Sequence, residues 1–223
     1  MPLETLPWEE EDFAAYPEII WLAFKDDLMQ VLYPNGYSSK DRALEVKKAI
    51  AKQRARGDTS VWMKTIDTDI PKDGPTRQIV GLSHWQFYPH ARSASELDAK
   101  EKEYDSEEQP AGLNQAFAEE YFGQIARLKR EILGGKPYIL LHMLATRPDY
   151  HRRGIGATHL RWGSEQADEM GLPLYLEASP KGRPLYERYG YEKVADLPLD
   201  VRAHGHPKDL PHACMLRPAK PRS

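Results

Sequence analysis

Cysteine is almost absent from this sequence, which has a single one, Cys214, among 223 residues. One cysteine cannot form an internal disulfide, and this favours a reducing compartment. Long apolar runs are also lacking, since no stretch approaches the roughly 20 residues that a membrane-spanning helix needs. Acidic residues from Glu4 onward are not typical of a signal peptide. The sequence therefore predicts a cytoplasmic protein without a membrane partner.

Neither sign of charge dominates the chain, because 31 Lys and Arg residues stand against 34 Asp and Glu residues, for a net charge of −3. Nucleic-acid-binding proteins usually carry a basic field, so no nucleic-acid partner is expected. The 40% of hydrophobic and 29% of charged residues are ordinary for a globular protein. A chain of this length suits one domain with a substantial core, and we predict a single domain over residues 1–223.

The most informative stretch is a predicted strand, a loop and a helix. Residues 138–146 form a short apolar run without breakers, which is typical of a buried strand. Residues 155–170 carry apolar or small residues three and four apart and end at Gly171, and this pattern predicts a helix. The loop between them has the sequence His151-Arg152-Arg153-Gly154-Ile155-Gly156-Ala157.

This loop has the features of an anion-binding site. The first N–H groups of a helix have no partner within the helix and lie at the positive end of its dipole. Glycines let a phosphate approach the backbone closely. Arg147, Arg152 and Arg153 add positive charge. The loop therefore predicts a phosphate or pyrophosphate ligand.

Two familiar phosphate-binding motifs fit the loop poorly. A nucleotide-binding P-loop closes with Gly-Lys-Ser/Thr, whereas these glycines are followed by Ala157-Thr158-His159. A dinucleotide fingerprint has a third glycine where His159 stands, although Glu177 occupies the place of its ribose-binding acid. A dinucleotide-dependent oxidoreductase remains an alternative to be tested.

The loop resembles the signature of the GNAT superfamily of acyl-CoA-dependent N-acetyltransferases. That signature is Arg or Gln, two residues, Gly, one residue, then Gly or Ala; this chain supplies Gly154 and Gly156 and departs from it at His151. A second similar block runs from Leu174 to Ser179 and on to Tyr191. The two blocks span about a quarter of the chain.

The resemblance and the order of predicted elements imply an α/β fold with a mixed, largely antiparallel central sheet flanked by helices and one parallel strand pair. A helical insertion is expected at about 91–136, before the central strand. Its first half, 93–109, is charge-rich and predicts a solvated helix or a loop. Its second half predicts a helix with one apolar face, made of Leu113, Phe117, Tyr121, Ile125, Leu128 and Ile132. That face would pack on the sheet or on a second subunit, so a homodimer remains open.

The N-terminal part is predicted to contain a short strand, two helices and a hairpin. The first helix begins near Pro17, and its apolar stripe continues to Val31. The second begins with a capping box at Ser38 and ends at Gly57. Residues 60–66 and 78–88 predict the two strands of a hairpin.

In GNAT proteins such helices form a wall of the acceptor site. Trp21, Phe24 and Tyr33 are therefore candidates for lining that site, with a place in the core as the alternative.

The resemblance also implies how acetyl-CoA, without a metal, would be held as the acetyl donor. The pantetheine arm would enter a gap between the two central strands and pair with backbone groups of Leu144, Ala145 and Thr146. The pyrophosphate would lie on the loop and the first helical turn, against His151, Arg152, Arg153, Gly154, Ile155, Gly156 and Ala157.

Acetyl transfer to an amine needs a group that accepts a proton and one that protonates or stabilises the departing thiolate. Tyr186 occupies the tyrosine position of the second block and is the candidate general acid. His142 on the predicted strand is the candidate general base, and we expect it to share a face with Leu140 and Leu144. His84, Glu177 or water are weaker candidates for the base. Because direct transfer needs no covalent intermediate, Cys214 is not expected to act as a nucleophile.

These residues together predict an N-acetyltransferase that moves an acetyl group from acetyl-CoA to a primary amine by direct transfer in a ternary complex. The alternative is a CoA-binding regulatory or catalytically degenerate GNAT-like protein. No motif identifies the acceptor amine, because acceptor specificity is determined in loops.

Overall fold

The computed structural model describes residues 2–71, 78–98 and 108–220. In chain order the elements are β1 (Leu3–Pro7), α1 (Tyr16–Phe24), α2 (Leu28–Leu32), α3 (Ser39–Arg56), β2 (Ser60–Asp67), β3 (Ile79–Tyr88), α4 (Gln115–Leu133), β4 (Tyr138–Thr146), α5 (Ile155–Met170), β5 (Leu174–Ala178), α6 (Arg183–Arg188), β6 (Glu192–Leu197) and β7 (His212–Arg217). Short 3-10 turns lie at Glu10–Ala14, Gly57–Thr59 and Pro148–Tyr150.

The strands form one seven-stranded sheet in the order β1-β2-β3-β4-β5-β7-β6. Every neighbouring pair is antiparallel except β4 and β5, which are parallel. The crossover between these two strands is α5, as a parallel connection requires. The predicted α/β fold with a largely antiparallel sheet and one parallel pair is confirmed.

Helices cover both faces of the sheet. Helices α1, α2 and α3, with the start of α4, pack over the first three strands in a core cluster that contains Phe13, Trp62 and Leu82. Helices α5 and α6 pack on the opposite face, where Trp85 and Leu160 are fully buried. The loop between β4 and α5 therefore lies at the N-terminal end of a helix whose buried face packs on the sheet.

Helix α4, in the predicted insertion, packs on the sheet. Leu128 and Leu133 are buried against Leu140 of β4 and Tyr175 of β5. The sheet therefore covers the apolar face that had suggested a partner subunit. Residues 94–98 are helical, and 99–107 lie outside the described residues.

The prediction of a single helix from Pro17 through Val31 is wrong, because the helix is interrupted before Leu28, where Asp27 caps a new one. The carboxylate of Asp27 accepts a hydrogen bond from the N–H of Leu28 at 2.8 Å and starts the separate helix α2. Aspartate favours such N-terminal cap positions because its side chain satisfies a free helical N–H. The predicted cap of α3 is confirmed, since Ser38 Oγ accepts from Asp41 N at 3.2 Å.

Candidate active site

Strands β4 and β5 separate soon after they meet. Their parallel pairing covers two residue pairs, the second of which joins Leu140 to Tyr175. Beyond that point β4 stays paired with β3 as far as Thr146, but the edge that faces β5 has no ladder partner in β5. An unpaired strand edge is a template for hydrogen bonds with an extended ligand. Leu144, Ala145 and Thr146 lie along this edge.

Strand β4 carries an extra residue, His142, where the strands begin to separate. Trp85 of β3 lies opposite Leu141 and His84 lies opposite Met143, so His142 forms a β-bulge. Met143 packs in the cluster beneath helices α1–α3, and the ring of His142 contacts that of His84 with centroids 5.1 Å apart. Two successive residues therefore face the same side of the sheet, as a bulge allows.

The expectation that His142 shares a face with both Leu140 and Leu144 is wrong for Leu144. Leu140 packs beneath α4, whereas Leu144 packs on the opposite face with the cluster under α5. The extra residue shifts the alternation of the strand, and a one-residue shift moves every later side chain to the other face. His142 itself is exposed.

The loop between β4 and α5 uses left-handed backbone at two positions. Arg152 has φ 62° and Gly154 has φ 86°, and Gly154 is the residue before the helix. The N–H of Thr158 bonds to the carbonyl of Gly154 at 2.9 Å, so the N–H groups that precede Thr158 in α5 have no partner within the helix. Such a turn followed by a helix start forms a concave site for an anion.

Side chains of the loop make specific contacts with the end of β4. The Nε2–H of His151 donates to the carbonyl oxygen of Thr146 at 3.1 Å. Arg147 forms an ion pair with Asp149 at 2.8 Å, so much of its positive charge is balanced within the loop. Arg152 is exposed. Of the arginines considered for phosphate binding, Arg147 therefore contributes less net charge than the sequence suggested.

Tyr150 attaches the loop to strand β2. Its hydroxyl donates a hydrogen bond of 2.7 Å to Asp67, the last residue of that strand. This bond lowers the pKa of the Asp67 carboxyl below its ordinary value. On the ring of Tyr150 lies the guanidinium of Arg153, 4.4 Å from the centroid. The loop is held in place by a buried hydrogen bond and a cation–π contact.

Helix α5 is attached to the sheet through the fully buried His159. Its Nδ1 lies 2.6 Å from Ser83 Oγ and its Nε2 lies 2.9 Å from Thr65 Oγ1. Burial lowers the pKa of His159 to about 4, so the ring is neutral near pH 7. His159 therefore connects α5 to strands β2 and β3. It stands at the position where a dinucleotide fingerprint has its third glycine.

Tyr186 lies on the α5 side of the sheet, on α6, and is buried. Among the described residues its hydroxyl has no hydrogen-bond partner, and burial raises its pKa. Tyr189, at the end of α6, donates from its hydroxyl to the carbonyl of Ala157 at 2.9 Å. A Cβ at Gly156 would meet Leu185 Cδ2 at 2.9 Å. The short helix is therefore packed directly on the first turn of α5.

The other candidates for the base lie in more enclosed surroundings. His84 is buried and accepts or donates a hydrogen bond of 2.8 Å with Ser60 Oγ. Glu177 lies beneath α4, 3.9 Å from Lys129 Nζ. Cys214 is also buried, and its burial raises the thiol pKa, which disfavours the nucleophilic thiolate.

The aromatic candidates for the acceptor wall belong to the packing of helices α1 and α2. Tyr33 is buried, and its ring lies 4.5 Å from that of Tyr37. Trp21 and Phe24 are half-buried against the same cluster. The core alternative therefore describes Tyr33, while Trp21 and Phe24 retain partial exposure.

One buried pair was not found by sequence reasoning. Asp27, at the junction of α1 and α2, lies 3.2 Å from Nε2 of His212, the first residue of β7. Both side chains are almost fully buried. The pair joins the helices over one half of the sheet to a strand in the other half. Its partners lie too far apart in sequence for any local pattern to reveal them.

A family model described as "Acetyltransferase (GNAT) domain" matches residues 93–201, which include the parted strands, the glycine loop and Tyr186. Over residues 93–201 the chain matches the GNAT superfamily of acetyltransferases. Two glycines, a strand that separates from its neighbour and the following helix are thus the parts of a known acetyltransferase fold.

Solved structures of GNAT proteins share this fold over nearly the whole chain. One is described as "histone acetyltransferase HPA2 and related acetyltransferase" from Corynebacterium glutamicum ATCC 13032. It is 21% identical, the match covers 100% of this chain and 99% of that one, and the TM-score is 0.60. Arylalkylamine N-acetyltransferase 2 from Aedes aegypti is 10% identical, with 99% and 100% covered and a TM-score of 0.66. At these identities the similarity concerns the fold alone.

A curated relative, described as probable acyltransferase SID5 from Ajellomyces capsulatus, is 34% identical over 44 residues. The match covers 20% of this chain and 32% of that protein, so the chain spans about a third of the length of this relative.

The described residues contain neither a metal-binding cluster nor a helix that could span a membrane. Within 2–71, 78–98 and 108–220, no three His, Cys, Asp or Glu side chains are grouped so as to hold a metal ion. In the same part of the chain no helix has the length and apolar character that crossing a bilayer requires.

Proposed function

We propose that this GNAT-superfamily protein is a cytoplasmic enzyme that transfers an acetyl group from acetyl-CoA to a primary amine, by direct attack in a ternary complex. The observation that carries the proposal is the separation of β4 from β5 beyond Leu140, beside a loop that ends in free helical N–H groups. A pantetheine arm needs an extended backbone edge, and a pyrophosphate needs N–H donors and positive charge. Both features lie at the same end of β4.

Within this proposal the pantetheine arm pairs with backbone groups of Leu144, Ala145 and Thr146. The pyrophosphate lies on the loop and first helical turn, contacting His151, Arg152, Arg153, Gly154, Ile155, Gly156 and Ala157. The hydrogen bonds from Tyr150 to Asp67 and from Tyr189 to Ala157 keep this turn in position before the ligand binds. A preorganised site loses less entropy on binding.

Tyr186 and His142 lie on opposite faces of the sheet, and this arrangement suits the two proton transfers. As the C–N bond forms and the C–S bond breaks, the amine loses a proton and the thiolate gains one. We assign the first proton to His142, directly or through water, because it is exposed where the strands part. The hydroxyl of Tyr186 is assigned to the departing sulfur. With its pKa raised by burial, it stays protonated and acts first as a hydrogen-bond donor to the developing thiolate.

A CoA-binding protein without turnover is the second candidate, and one observation favours it. Strand β4 has no carboxylate, so the proposed base on this strand is an imidazole, that of His142. The two candidates differ in whether CoA thiol is released when an amine is present.

The test is a thiol-release assay with acetyl-CoA and three amines of different shape: phenylethylamine, spermidine and a short peptide with a free N-terminus. We expect turnover with at least one of them and its loss, by about 10²-fold or more, in His142→Gln. If acetyl-CoA binds but no amine is acetylated, the regulatory candidate replaces the enzyme. If His142→Gln keeps full activity, the base has been assigned wrongly.

A further inference from the structure

A row of three rings crosses the sheet at the point where β4 and β5 separate. Trp62 of β2 lies opposite His84 of β3, and His84 lies beside the bulge that contains His142 of β4. The rings of Trp62 and His84 are stacked, with centroids 4.1 Å apart and an angle of 11° between their planes. His84 meets His142 edge to face, at 5.1 Å and 86°. A continuous ring contact therefore runs from the buried core to the exposed imidazole.

The inner end of this row is rigid. Trp62 is held edge to face by Phe13 at 5.1 Å and by Tyr16 at 5.3 Å. Ser60, on the same strand, fixes the other side of the row through the 2.8 Å contact between its Oγ and His84 Nε2. His84 is only 3% exposed. A side chain stacked on a fixed ring and hydrogen-bonded at one nitrogen has little freedom to turn.

The outer end of the row needs such support. His142 is exposed, and as the extra residue of a bulge it lies outside the regular pairing of β4 with β3. Proton transfer requires a fixed distance and direction to the reacting nitrogen, so the contacts of an exposed base must set its rotamer. The bulge turns His142 toward His84, so the support and the group that needs it are in contact.

From these contacts we infer that His84 is a positioning residue, which orients the imidazole of His142 toward the gap between β4 and β5. Ser60 and Trp62 in turn fix His84. The inference rests on the proposed function, since it gives His142 the role of base. It assigns to His84 no contact with the substrate. The buried histidine that the sequence offered as a second candidate base acts instead through the first.

The test compares the unmodified protein with His84→Ala and His84→Phe. Phenylalanine keeps a ring that can stack on Trp62 and touch His142 but loses the bond to Ser60, whereas alanine loses both. Two quantities are measured: the order of the His142 ring, from ¹³C relaxation of its Cε1–H group, and the steady-state kinetics with the best amine of the panel. The His142 signal is identified by its disappearance in His142→Gln, and melting curves show that each variant is folded.

For His84→Ala we expect a more mobile His142 ring and a kcat about 10- to 100-fold lower, since a misplacement of about 1 Å can cost that much. The KM for acetyl-CoA should stay within about twofold of the unmodified value, because the loop is untouched. His84→Phe should recover most of the order and most of kcat. Equal order of the His142 ring in all three proteins would overturn the inference, whether or not any amine is acetylated. So would a His84→Phe variant as impaired as His84→Ala.

If the ring loses order in His84→Ala but none of the amines is a substrate, the contact between the histidines stands and the transferase proposal fails. The relaxation measurement thus separates the two claims.

Discussion

At the scale of single residues, Tyr186 and Tyr189 have the same side chain but different surroundings. Tyr186 is buried, and its hydroxyl has no partner among the described residues. The hydroxyl of Tyr189 donates a hydrogen bond to the carbonyl of Ala157 in the first turn of α5. In the proposed mechanism the hydroxyl of Tyr186 acts on the departing thiolate, whereas the hydroxyl of Tyr189 stabilises the first turn of α5.

Replacing each tyrosine by phenylalanine should separate catalysis from binding. Tyr186→Phe is expected to lower kcat by about 10²- to 10⁴-fold, the usual range for a group that acts on a proton in the transition state. Its Kd for acetyl-CoA should stay within about twofold. Tyr189→Phe is the matched control: it should weaken acetyl-CoA binding severalfold with little change in kcat at saturation. Calorimetry and steady-state kinetics measure the two effects, and full activity in Tyr186→Phe would remove it from the mechanism.

The burial of His159 predicts how the stability of the folded protein depends on pH. Its pKa is about 4 in the folded protein and about 6.5 in an unfolded chain, so the unfolded state binds the proton more readily. Stability from this group is fully present above pH 6.5 and is lost as the pH falls toward 4. The loss is about 3 kcal/mol over this range, since one pKa unit corresponds to about 1.4 kcal/mol.

Chemical denaturation between pH 7 and pH 4 measures this loss. In His159→Gln, an uncharged residue that can still bond to Ser83 or Thr65, the part of the slope due to His159 should disappear. If both proteins lose stability in parallel as the pH falls, His159 is not the group responsible.

At the scale of elements, helix α5 is packed unusually closely on strand β3. A Cβ at Gly163 would lie 2.2 to 2.6 Å from three ring atoms of Trp85. The ring is fully buried and has no room to move. Because Gly163 has no side chain, helix α5 can pack in close contact with Trp85 of the sheet.

Alanine at Gly163 should therefore destabilise the protein by about 1–3 kcal/mol through overpacking, although alanine is the better helix former. The matched control is Gly123→Ala in α4, where an added Cβ would meet nothing within 4 Å. There the higher helix propensity acts alone, and we expect a gain of about 0.5–1 kcal/mol. Thermal melting of both variants checks the prediction. A stabilised Gly163→Ala would show that α5 does not approach Trp85 in this way.

Elements were predictable where their signals are local. The spacing of Gly154 and Gly156 after an apolar run predicted the strand, loop and helix, because the turn needs those residues at those positions. The break between α1 and α2 was missed, since the apolar stripe continues through Leu28 and Val31 while the cap at Asp27 depends on a single side chain. Composition and periodicity describe a helix face better than they describe its ends.

The site was less predictable than the fold, for a physical reason. The bulge at His142 depends on how β3 and β4 pair, and no residue of β4 predicts it by its type alone. The bonds of His159 to Ser83 and Thr65 join positions 76 and 94 residues apart, which only the completed sheet brings together. The roles of Tyr186 and His142 remain predictions that kinetics must test.

At the scale of the whole molecule, the sheet separates the two parts of the proposed site. Helices α5 and α6 on one face hold the proposed anion site and Tyr186, and helices α1–α4 on the other face cover the side on which His142 lies. An acyl donor bound between β4 and β5 would be reached from both faces. The central claim is that this gap and its loop bind acetyl-CoA.

The measurement that tests this claim most directly is isothermal titration of acetyl-CoA, with NADPH titrated in parallel, into the unmodified protein, Gly154→Val and Gly57→Val. Both glycines have positive φ and open space around an added Cβ, so valine is strained at either position, but only Gly154 lies in the loop. The account predicts micromolar binding of acetyl-CoA that is at least about tenfold weaker in Gly154→Val and unchanged in Gly57→Val. It is contradicted if the unmodified protein does not bind acetyl-CoA, if Gly154→Val binds it equally well, or if NADPH binds more tightly.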